Sequence, residues 1–346
     1  MDGARAESGR PHPGVPRQRR RPGQPRGVGS AGMMWLTWRQ HRKQALYTVL
    51  GLAALAAFIV PTGLAMHRDF DRLVVRGCPA SAVDTPCDGF HEFATRYDSY
   101  IYVCVLLLVV PLLFGLFWGA PLVARELEQG THRMIWTQGV SRRHWALAKV
   151  GLLGGAVTVL AVVYGLGISW WYEPLAYTES RFQQIFFDVQ GVAPVGYSLF
   201  AVALGIAAGV LSSKVVPAMG LTLSAFIAAR IVVALFVRPR LATPVTNDFP
   251  VVSDAAANLG QMSLGSWVLS SDVRRPDGTI VTSGAIICAP DDAAECLGGF
   301  SAELRNHQVY QPGERFWWFQ WAETGIFVAL AVLLVWLAVR RIRRIA

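Results

Sequence analysis

Charge is scarce in this sequence. Asp, Glu, Lys and Arg make up 16% of its 346 residues, where an ordinary soluble domain carries roughly 25%. That shortage excludes a typical water-soluble globule. Also missing is a P-loop: nothing matches Gly-x4-Gly-Lys-[Ser/Thr], so the chain is not expected to hydrolyse ATP itself. Histidine is sparse and scattered, seven in all, and no Ser/His/Asp grouping can be argued from it. His91-Glu92-Phe93-Ala94-Thr95 begins like a zinc-protease motif but lacks the second histidine. Cysteine is limited to five, without the Cys-x2–4-Cys spacing of structural zinc sites. No catalytic residue and no metal ligand are therefore expected.

What the sequence does have is long apolar runs. Hydrophobic residues reach 53%, and six runs, 45–66, 100–122, 147–171, 195–211, 215–237 and 316–339, approach the roughly 20 residues that cross a bilayer as a helix. The expected fold is an all-α polytopic membrane protein with six transmembrane helices. A small extracytoplasmic segment, 238–315, falls between the fifth and the sixth. In it Pro276-Asp277-Gly278 signals a turn, and the alternation over 279–282 suggests a small strand.

Basic residues assign the sides. The polar stretch 121–145 carries Arg125, Arg133, Arg142 and Arg143 against Glu126 and Glu128. Loops rich in Lys and Arg stay in the cytoplasm. From that choice both termini and the turn at 212–214 are cytoplasmic, in a multi-pass protein of the cell membrane. The net-acidic loop 67–98 and the Trp-flanked entry to the sixth run then fall outside. Residues 33–44, with Trp35 and Trp38 beside Arg39, Arg42 and Lys43, suit an interfacial helix. Residues 316–346 are the sixth span and a basic cytoplasmic tail. Residues 1–32, rich in Arg, Pro and Gly, bury too little surface to fold, and Met33-Met34 offers an alternative start of translation. The net charge of +9 lies largely in that tail. It faces acidic lipid or nothing specific, and no nucleic-acid-binding signature accompanies it.

This layout puts Cys78, Cys87, Cys288 and Cys296 in oxidising space, where disulfides persist. Local pairing, 78 with 87 and 288 with 296, is preferred. Two charges fall inside spans, Arg230 and Glu323, each about 10 Å below the outer interface at 1.5 Å per residue. A charge at mid-bilayer costs on the order of 2.5–3.5 kcal/mol, so the two either pair or snorkel separately to the headgroups. Within the loop 123–146, Gly130 weakens a helix continuing from the second span. Thr131 can cap a new short helix over 132–137, which presents Met134, Ile135 and Trp136 beside Arg133. Those side chains either lie on the lipid surface or enter a groove on a partner.

At this point a family becomes recognisable. R-E-L-E-Q-G-T-H-R-M-I-W-T-Q-G-V-S-R-R between two spans resembles the coupling region of ABC exporter permeases of the second type. W-L-T-W-R-Q-H-R at 35–42, F-D-V-Q-G-V-A-P-V-G-Y at 187–197 and Y-Q-P-G-E-R-F-W-W-F-Q-W-A-E-T-G at 310–325 look like permeases common in actinobacteria. The resemblance implies six spans within 45–237 and 316–346, and a homodimer or heterodimer of permeases in the bilayer. It also implies a separate ATP-binding-cassette ATPase that holds ATP and magnesium. Glu126, Glu128, Gly130, Thr131, Arg133, Met134, Ile135 and Trp136 would dock on that ATPase. Two other classes remain open from residues alone: a membrane sensor or scaffold using 238–315 as a receptor domain, and an ion-coupled secondary transporter, for which Arg230 and Glu323 are a thin supply of relay groups.

Overall fold

The computed structural model describes residues 30–78, 87–129, 142–177, 180–252, 265–288, 296 and 303–342. The chain divides into two units, 1–41 and 42–346. Of the first, only the beginning of a helix, Ser30–Phe70, is described. Six helices in the second unit are long and apolar enough to cross a membrane: Leu46–Val75, Tyr100–Glu128, Val150–Ala176, Ala193–Ser212, Val215–Arg240 and Gly313–Ile342. They are the first to sixth spans below.

The fourth span is the axis of the bundle and is buried over most of its length. Its sequence, APVGYSLFAVALGIAAGVLS, is rich in Ala and Gly because other helices must approach its backbone. In lipid there is little hydrophobic drive between helices, so close packing of small residues does the work. A Cβ at Gly115 or Gly119 of the second span would stand 2.6 Å from the carbonyl oxygen of Ala201 or Val202. Neither glycine can be replaced without parting the two helices.

The second span is not a straight α-helix. It turns at Leu108-Val109 and widens into a π-helical turn at Gly115–Gly119. Pro111 supplies no N–H, so the carbonyl of Leu107, four residues earlier, loses its helical partner. The Tyr164 hydroxyl of the third span donates to that carbonyl at 3.1 Å. This is how a proline is accommodated where no water can repair the break. Near the other end of the third span, Trp171 stacks on Tyr100 and its indole N–H donates to Thr62 of the first span at 3.1 Å.

Between the fifth and sixth spans lies a four-stranded antiparallel sheet. Its strands are β1 (Val245–Pro250), β2 (Trp267–Arg274), β3 (Ile280–Ser283) and β4 (Arg305–Gln311), in the order β1-β4-β2-β3. The β2–β3 turn has Gly278 at φ +85°, and the amide and hydroxyl of Thr279 both donate to the Asp277 carboxylate. The Thr279 hydroxyl, above all, holds that carboxyl below its ordinary value. The sheet is fastened to the two spans it joins: Gln311 donates to the Ala242 carbonyl and Arg315 to the Thr243 carbonyl, each at 2.7 Å. The segment after the third span also reaches it, with Phe182 stacked on Trp267 at 6.0 Å. Cys78 and Cys87, and Cys288 and Cys296, lie at disulfide distance with Cα separations of 5.8 and 5.7 Å. Cys104 is free and buried.

Candidate functional site

The sixth span supplies the floor of the site. Phe316, Phe319, Gln320, Glu323, Thr324, Phe327 and Ala331 are buried, at the three- and four-residue spacing of one helical face. Two members of that apolar stripe are strongly polar, and each is fully buried. Gln320 is used as a clamp. Its Oε1 accepts from the amides of Val192 and Ala193 at 3.1 and 2.8 Å, and its Nε2 donates to the Phe187 carbonyl at 2.8 Å. Val192 and Ala193 open the fourth span, where the first amides of a helix have no partner within it.

Clamped in this way, the short helix Gln184–Val189 buries Phe186, Phe187, Asp188 and Val189. Asp188 is thereby delivered to Glu323. Two arginines of the fifth span meet the carboxylates. Arg238 Nε stands 2.7 Å from Glu323 Oε2, and its Nη2 lies 2.9 Å from Glu323 Oε1 and 2.5 Å from Asp188 Oδ1. Arg230 pairs with Asp188 through Nη2 and approaches Glu323 Oε1 at 3.4 Å. The Tyr197 hydroxyl of the fourth span donates to Glu323 Oε1 at 2.7 Å. The rings close the cage: the Arg230 guanidinium lies 3.5 Å from the Tyr197 centroid, and that of Arg238 lies 4.2 Å from the Phe187 centroid.

Two carboxylates and two guanidiniums make the group neutral. The side chains of Arg238 and Glu323 are 1% and 0% exposed, so water does not share the charges and the partners must satisfy one another. Charged hydrogen bonds of this kind are stronger than neutral ones. The arrangement ties the fifth span, the sixth span and the helix Gln184–Val189 into one body.

A local irregularity makes this possible. In a straight α-helix, Arg238 would be turned about 80° away from Arg230, eight residues earlier. The stretch Val233–Val237 between them is a π-helical turn. Such a turn absorbs one extra residue, which brings Arg238 back to within about 20° of Arg230's face. Arg230 and Glu323 are visible from sequence because each interrupts an apolar run. Asp188 and Arg238 escape it: one lies in a segment read as a loop, the other at the first position read as outside the membrane. The only sequence signal was Asp188 standing alone in Ile185-Phe186-Phe187-Asp188-Val189.

The opposite end of the bundle holds two of the residues expected to meet a partner. Glu126 and Glu128 lie at the end of the second span, Glu126 half-buried and Glu128 exposed. Glu128 Oε2 accepts the Val215 amide at 3.1 Å and so caps the fifth span, an anion placed where the helix dipole favours one. Gly130, Thr131, Arg133, Met134, Ile135 and Trp136 lie outside the described residues. Beside Glu128, a cavity of about 1090 Å³ is lined by the first, second and fifth spans, including Thr48, Trp118, Arg125 and Met219. Its wall is apolar except near the loop end. Among the described residues, no cluster of three His, Cys, Asp or Glu side chains is arranged to hold a metal ion.

No curated protein and no solved structure matches this chain. A family model described as ABC-2 membrane transporter related matches residues 49–238. That match runs from the first span to the second arginine of the buried cluster and takes in the segment after Glu128. Covering more than half of the chain, and joined to six apolar helices of spanning length, it makes the protein a member of the ABC-2 membrane transporter related family.

Proposed function

We propose that this chain is the permease subunit of an ATP-binding-cassette exporter, resembling actinobacterial transport proteins, and that a separate ATPase chain carries ATP and magnesium. The observation behind the reading is the family match over 49–238, which includes both spans flanking the R-E-L-E-Q-G-T segment. Two permease chains and two ATPases form the working unit. The loop 123–146 docks on the ATPase, with Trp136 as its anchor. Motion of that loop reaches the fifth span through Glu128, which holds the Val215 amide. The cavity between the first, second and fifth spans opens near the same loop and is where cargo enters.

Vanadate-sensitive ATPase activity is expected to co-purify with the chain. Aromatic anchors often cost ~2 kcal/mol or more on truncation, so Trp136→Ala weakens the complex roughly thirtyfold at 1.4 kcal/mol per decade. The variant still inserts and keeps its cysteine pairs. Unchanged ATPase recovery in Trp136→Ala would remove this loop from the interface, and no ATPase with the unaltered chain would remove the exporter reading.

The proposed orientation puts both termini and 212–214 in the cytoplasm, in the cell membrane. Ser213→Cys should resist an impermeant thiol reagent in intact cells, while Thr279→Cys reacts. Cys104 is buried and does not compete. Labelling at position 213 reverses the assignment of sides.

A further inference from the structure

Away from the loop and the charge cluster, two grooves flank the last turns of the sixth span. One, of about 670 Å³, lies between the third, fourth and sixth spans, its lining running from Val328 to Arg340 along the sixth. Twelve residues of helix make that about 18 Å long. The other, of about 630 Å³, lies between the fourth and sixth spans and ends at Arg340 and Arg341. Apart from these arginines, both are lined by aliphatic side chains, glycine and Trp336. Val332, Trp336 and Leu337 are exposed, so the grooves open on the surface of the chain. The two meet at Arg340, whose guanidinium lies 5.3 Å from the Trp336 ring centroid.

We propose that this end of the sixth span holds one resident phospholipid with an anionic headgroup, an acyl chain in each groove and its phosphate on Arg340 and Arg341. A groove lined by carbon within a membrane takes hydrocarbon. The exposed arginines at the mouth of the grooves attract a negative group there. Among the described residues, neither Arg340 nor Arg341 has a carboxylate partner. The guanidinium fork matches phosphate oxygens, and basic pockets between spans select anionic headgroups. A zwitterionic lipid has the same phosphate but brings its own cation, so it binds more weakly. Nothing in this assignment depends on the transported cargo.

Native mass spectrometry of delipidated protein in detergent, titrated with phosphatidylglycerol or phosphatidylcholine of identical chains, tests it. One phosphatidylglycerol is expected to remain bound, and phosphatidylcholine to leave. Neutralising both arginines, Arg340→Gln with Arg341→Gln, lowers phosphatidylglycerol affinity about thirtyfold. Gly154→Leu fills the first groove, a Cβ there meets nothing within 4 Å, and the variant, checked for monodispersity, also loses the lipid. Equal retention of the two lipids by the unaltered chain overturns the proposal. So does loss in the arginine variant with full retention in Gly154→Leu, which means charge attraction without a groove. A dimer that Gly154→Leu dissociates, with no lipid adduct, assigns the grooves to a second copy instead.

Discussion

Arg238→Leu is expected to destabilise the protein more than Arg238→Leu combined with Glu323→Leu. The single change leaves Asp188 and Glu323 buried with only Arg230 between them, a net negative charge out of reach of water. Breaking a buried ion pair from one side costs about 3–5 kcal/mol, whereas replacing the pair by apolar side chains is often close to neutral. In the double variant Asp188 keeps Arg230, its direct partner, and the site is neutral again. Thermal unfolding in detergent, followed by the loss of monodisperse protein, measures the difference. Losses that simply add would mean that each charge reaches solvent alone and that the four do not act as one group.

Gln320→Leu is the second large effect. It strips three backbone groups of their partner at once: the amides of Val192 and Ala193 and the carbonyl of Phe187. A buried polar group left unsatisfied costs about 1–3 kcal/mol, so the loss is roughly 3 kcal/mol or more. Gln320→Glu is the informative companion. It keeps an acceptor for the amides at the start of the fourth span, where an anion is favoured, but turns an oxygen toward the Phe187 carbonyl and buries a carboxylate with no cation of its own. Both variants should melt well below the unaltered chain. A Gln320→Leu protein as stable as the unaltered one would show that the clamp contributes nothing. Release of the helix Gln184–Val189 would also move Asp188, so this variant should weaken the charge cluster without touching it.

Six spans could be read from the sequence because a bilayer demands a long apolar run, and such a run is visible without knowing its neighbours. The strand over 279–282 was also visible, since Asp277-Gly278 fixes the turn before it. β1, β2 and β4 were not, because VTNDFP, WVLSSDVR and RNHQVYQ alternate only weakly and gain their pairing from strands far along the chain. Breaks inside spans were half-visible. Pro111 announces a missing donor, but that Tyr164 repairs it depends on the third span lying alongside.

The sequence by itself determined a member of the membrane world. That includes the number of spans, a preference for the two local cysteine pairs once the topology puts all four on the outer side, and two charges stranded in apolar runs, Arg230 and Glu323. Only the tertiary structure decided that those two charges belong to a neutral group of four. Charge in an apolar run is a one-dimensional signal. The company it keeps depends on helix phase, and the π-helical turn at Val233–Val237 shifts that phase by a residue that no α-helical period predicts. Asp188 enters from a third element, carried in by Gln320. Burial then makes the pairing obligatory, because Arg238, Glu323 and Asp188 are buried and Arg230 is only 15% exposed, so the charges are accommodated chiefly by one another.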